Sequence, residues 1–66
     1  MQVFVNDKVL DCQQSITLAE ALKTAGIQTE NVAVAVDYAV VPKQEWETTV
    51  LEDKCNIIVI RASHGG

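Results

Sequence analysis

A chain of 66 residues makes one small domain, with a modest core and little room for a buried active site of several residues. Its apolar fraction of 48% is that of a globular protein and sets disorder aside. A net charge of −4, from nine acids against five bases, argues against nucleic acid as a partner, which needs a basic footprint.

Residues 2–6, Gln-Val-Phe-Val-Asn, are rich in strand formers, and Asn6-Asp7-Lys8 is turn chemistry. Val9-Leu10-Asp11-Cys12 resumes the extended pattern, so residues 1–12 predict a β-hairpin. The same opening reaches Asn6-Asp7 before any apolar segment develops, which predicts no signal peptide and a cytoplasmic location. After a polar connector at 13–15, Thr17 and Glu20 have the spacing of a capping box. Leu18, Ala21, Leu22 and Ala25 then recur at i, i+3, i+4 and i+7, one apolar stripe of a helix that Gly26 should stop. Residues 28–31 form a loop. Val32-Ala33-Val34-Ala35-Val36 alternates large and small apolar residues as a strand, and Asp37-Tyr38 turns the chain into Ala39-Val40-Val41. Pro42, unable to donate to a ladder, ends that strand. Residues 43–49 are irregular or a single turn and hold the only tryptophan, Trp46. Asn56–Arg61 is the last strand, and its continuous apolar run at 57–60 is far too short to span a membrane.

The order ββαββ(β) predicts a two-layer α+β domain over residues 1–61, one helix packed on a mixed sheet of four to five strands. If the last strand lies beside the first, the two are parallel and central, which suits the two-sided apolarity of Ile57-Ile58-Val59-Ile60. Val3, Val5, Leu18, Leu22, Val34, Val36, Ile57 and Val59 should form most of the core. Phe4, Ile58 and Ile60 should share the sheet face away from the helix, where a partner would dock. Trp46 is expected as a lid over the small core, with a role as a partner's anchor as the alternative. Cys12 and Cys55 should lie about two strand spacings apart, ~9–10 Å, too far for a disulfide. They have no metal-binding spacing and are read as structural, with no metal site.

Residues 62–66, Ala-Ser-His-Gly-Gly, are expected as a flexible tail. Two of the three glycines are Gly65 and Gly66, the last two residues. Lacking side chains, they can thread a channel closed to any Cβ atom. The Gly66 carboxylate is a poor electrophile, but adenylation by an ATP-dependent partner makes it an acyl donor. The alternative is an inert chain end. His64 lies in reach of that end and is read as a tail residue with no chemical duty, the alternative being stabilisation of charge developing there.

A β-grasp, ubiquitin-like order ending in Gly65-Gly66 resembles the bacterial sulfur-carrier family. Val-Ala-Val-Ala-Val, then Val40-Val41-Pro42, Glu45-Trp46 and the Gly-Gly end, resemble its ThiS branch over essentially the whole chain. Two positions depart from the family pattern: Asp37 stands where Asn is usual, and Lys54-Cys55 where Gly-Asp is usual. The second leaves the conformation of the loop at 53–55 open, since Lys54 resists a positive φ.

The resemblance implies a carrier, not an enzyme, with no bound cofactor. A ThiF-like adenylyltransferase would use Mg-ATP to adenylate Gly66. Sulfur from a persulfide, supplied through a cysteine desulfurase, would displace AMP to leave a thiocarboxylate. ThiG, the thiazole synthase, would take up that sulfur in thiamin biosynthesis. The alternatives are the small subunit of molybdopterin synthase (MoaD-like), a ubiquitin-like protein modifier, and an interaction domain with an inert end.

Overall fold

The computed structural model describes residues 1–61; the expected tail at 62–66, with Gly65 and Gly66, lies outside the described residues. Five strands and one helix follow the expected order: β1 (Gln2–Val5), β2 (Lys8–Asp11), α1 (Leu18–Thr24), β3 (Val32–Val36), β4 (Ala39–Val41) and β5 (Asn56–Arg61), with a 3-10 turn at Lys43–Glu45. The sheet runs β2-β1-β5-β3-β4. The last strand is inserted at the centre, parallel to β1 and antiparallel to β3.

Both hairpins close through two residues with positive φ. Asn6 and Asp7 stand at 47° and 71°, and Asp37 and Tyr38 at 49° and 70°. Paired positive φ values match the right-handed twist of the flanking strands, and Asn and Asp tolerate them. Lys8 belongs to β2 rather than to the turn. Asp37 does more than tolerate its turn. Its Oδ1 accepts from the Asn56 N–H at 2.9 Å, while its own N–H donates to the Asn56 carbonyl at 2.8 Å. The change from the usual Asn therefore keeps the tie between the β3–β4 turn and the start of β5.

The capping box forms as expected: Glu20 N donates to Thr17 Oγ1, and Thr17 N donates to Glu20 Oε1, each at 3.2 Å. The two remaining first-turn donors find partners in the returning chain. Leu18 N donates to the Thr49 carbonyl at 2.8 Å and Ala19 N to the Trp46 carbonyl at 3.0 Å. At the other end Gly26, with φ of 73°, donates to Lys23 O while Ile27 N donates to Leu22 O, a Schellman stop. Ala25, expected on the apolar stripe, is the exposed C-cap; the helix stops before its seventh-residue repeat reaches the sheet.

Val3, Val5, Leu18, Leu22, Val34 and Ile57 are buried as expected, and Ala21 joins them from the same stripe. Val36 and Val59 are half-buried, packed against the core at its margin. Trp46 is the expected lid, 4% exposed, its Nε1 donating to the Val41 carbonyl at 2.8 Å. Leu51 is core that the sequence pattern did not single out. A bridge between Thr17 and Val50 and a bond from Leu51 N to Ile16 O at 2.9 Å pull it under the helix.

Lys54 departs from expectation: it takes a φ of 66° despite its side chain. Its N–H donates to Gln2 O, and Cys55 N closes a turn onto Glu52 O at 3.2 Å. Gln2 N in turn donates to Asp53 Oδ1 at 2.9 Å. Bonds to β1 thus hold the loop in the shape that a glycine would adopt freely.

Candidate functional site

Val3 and Val5 point into the core, so strand alternation sends Phe4 to the opposite face of the sheet. Cross-strand register builds that outer face. Phe4 pairs with Val9 of β2 and lies beside Asn56 of β5. Ile58 pairs with Ala35, which pairs with Val40, and Ile60 pairs with Ala33. Phe4 and Ile58 are half-buried by these neighbours, while Ile60 is 61% exposed. The structure therefore brings Phe4, Ile58 and Ile60 to one face, as expected. Val9 and Val40, 56% and 73% exposed, widen the apolar surface across all five strands. The alternation that placed Phe4 also places these two, but only once strand order is known.

The same strand that carries Ile58 and Ile60 ends at Arg61 and continues into the Gly-Gly terminus. Gly66 is the sixth residue after Ile60 in the sequence. At up to ~3.6 Å each, six residues span at most about 22 Å. Near its end β5 is gripped from the β1 side by the Asn6 side chain. Val59 N donates to Asn6 Oδ1 at 2.9 Å and Asn6 Nδ2 donates to Val59 O at 3.3 Å.

The cysteines offer no rival site. Both are free thiols, Cys12 half-buried and Cys55 buried. Burial pushes the Cys55 thiol up; the Glu52 backbone lowers it and the Asp37 carboxylate raises it further. Burial also raises Cys12, against the pull of the N-terminal ammonium and with the push of Asp11. A thiol held protonated is a weak nucleophile, consistent with a structural role. Among the described residues no group of three or more His, Cys, Asp or Glu side chains is placed to hold a metal ion, and no helix is long and apolar enough to cross a membrane.

A family model described as the ThiS family matches residues 2–66, which takes in Gly65 and Gly66. The sulfur carrier protein ThiS of Escherichia coli is 26% identical over 66 residues, all of both chains. A crystal structure of the thiamine biosynthesis protein ThiS from Geobacter metallireducens superposes with a TM-score of 0.83 at 25% identity, covering all of both chains. A solution structure of a thiamine biosynthesis protein from the same organism has the same fold, with a TM-score of 0.76 at 22% identity, over all of this chain and 88% of the other.

Proposed function

Because this chain belongs to the ThiS family, we propose that it carries sulfur on the carboxyl end of Gly66 for thiazole formation in thiamin biosynthesis. The observation that carries this reading is the extent of the family match, which runs through the Gly-Gly end.

The chemistry runs in three steps. A ThiF-like adenylyltransferase joins the Gly66 carboxylate to the α-phosphate of Mg-ATP and releases pyrophosphate. The terminal sulfur of a persulfide, charged by a cysteine desulfurase, attacks the acyl carbon, and the bond to AMP breaks. A second thiol of the sulfur donor then cleaves the S–S bond, is itself oxidised to a disulfide, and leaves Gly66 as a thiocarboxylate. ThiG accepts that sulfur. The carrier contributes no catalytic group of its own; it presents the carboxylate and docks through Phe4, Ile58 and Ile60. Gly65 and Gly66 suit this role because an end without side chains fits a narrow channel to the nucleotide.

The test is pyrophosphate exchange with the cognate adenylating enzyme. Deleting Gly66 should abolish exchange and Gly66→Ala should slow it, both with the melting temperature almost unchanged. Continued exchange and sulfur transfer without Gly66 would sink the carrier reading. Intact-mass analysis from the native host should find a fraction with one terminal oxygen replaced by sulfur. Covalent adducts on other proteins would instead mark a modifier, and co-purification with a molybdopterin synthase subunit would mark the MoaD-like branch.

A further inference from the structure

We propose that Asn6 is a positioning residue for the reactive terminus, its side chain fixing the point at which the chain leaves the sheet. The proposal rests on the carrier reading above. It starts from the way the parallel β1–β5 ladder ends. Phe4 N donates to Cys55 O at 2.9 Å and Asn6 N to Ile57 O at 3.0 Å. Alternate residues of a strand turn their N–H and C=O to the same side, so the next pair facing β1 belongs to Val59. By then β1 has ended at Val5 and the chain has turned at Asn6, with φ of 47°.

The Asn6 side chain supplies the missing rung. A carboxamide has the acceptor and donor of a peptide group. Here Oδ1 accepts from Val59 N at 2.9 Å and Nδ2 donates to Val59 O at 3.3 Å. The contact joins positions 53 residues apart, so it is no part of the local turn. The turn alone asks only for a residue that accepts a positive φ, which Gly or Asp would satisfy. Donating and accepting together need the amide.

The site of this grip connects it to the chemistry. Val59 lies two residues before the end of β5 and seven before Gly66. On its other edge β5 is held by β3, through Ile60 with Ala33 and Arg61 with Val32. With Asn6 in place both edges of the strand are fixed at the base of the terminus. Without it only one is. A base free to swing lengthens the tether and spreads its direction, which lowers the effective concentration of carboxylate at the partner's nucleotide and degrades in-line geometry. Docking through the outer face is untouched.

The experiment measures pyrophosphate exchange by the cognate adenylating enzyme with Asn6→Gly, Asn6→Asp, Asp53→Ala and the chain lacking Gly66. Asn6→Gly keeps the turn and removes the grip. Its kcat should fall roughly three- to tenfold, with KM for the carrier within about twofold, and its Val59 amide should lose hydrogen-exchange protection. Asn6→Asp keeps the acceptor but not the donor and should fall between; it also serves if the glycine variant does not fold. Asp53→Ala removes a bond of the same length, 2.9 Å from Gln2 N, at the opposite end of the sheet, and should leave kcat unchanged. An Asn6→Gly kcat equal to wild type, or an equal fall in Asp53→Ala, overturns the proposal, since Asn6 would then act only through stability. If the chain lacking Gly66 still exchanges, the carrier reading has failed instead.

Discussion

Lys54 is one of the non-glycine residues at positive φ, held at 66° by bonds of its loop to Gln2. An L side chain there costs about 1–2 kcal/mol of local strain, while a glycine adds about 0.5–1 kcal/mol of freedom to the unfolded chain. Lys54→Gly should therefore stabilise the domain by about 0.5–1 kcal/mol, seen as a higher urea midpoint; a lower midpoint would mean that the lysine side chain contributes more than its strain costs. The sequence marked this loop as a departure from its family and left its conformation open. Propensity describes an isolated residue, whereas here three hydrogen bonds between distant segments decide the angle. The thiols add a pH dependence. Burial raises both above the ordinary 9.0, so in that window the folded chain binds more protons than the unfolded one. Their contribution is fully present below pH 9.0 and is lost as pH rises through the folded values. Urea midpoints on either side of pH 9.0 should fall with pH, and Cys55→Ala should flatten the fall.

At the scale of elements, α1 is only seven residues long and owes its place to packing more than to propensity. Leu22 is fully buried at the centre of its stripe. Leu22→Ala should cost roughly 2–4 kcal/mol, a large share of the stability of a domain this small. An unchanged urea midpoint would contradict the assignment of that face. The helix and all five strands were legible because each carries a local signal: a cap, a period, or a β-branched run such as Asn56–Arg61. Leu51 and the Thr17–Val50 bridge were not, because their burial comes from a segment without period that returns beneath the helix. Asn6 was legible only as a turn. Its second bond partner, Val59, is too distant in sequence for any local pattern to name.

At the scale of the whole molecule, the domain has one covered and one open sheet face. The open face joins Val9, Phe4, Ile58, Ile60 and Val40 into an apolar surface, on a chain whose net charge of −4 would steer a basic partner toward it. On the proposed function, Phe4→Asp should weaken binding of the adenylating enzyme by about tenfold or more while leaving stability little changed. Binding assays paired with thermal melts check this. Unfolding of the variant would mean that Phe4 belongs to the core.

The position of β5 also governs how the chain comes into being. Ribosomes release the hairpin first and this strand last, yet it is the plank between β1 and β3 on which the sheet depends. Until it emerges, the earlier strands have no common neighbour and the hairpins are marginal. A product that stops short of Ile57 cannot close its sheet. Such fragments stay open to proteases.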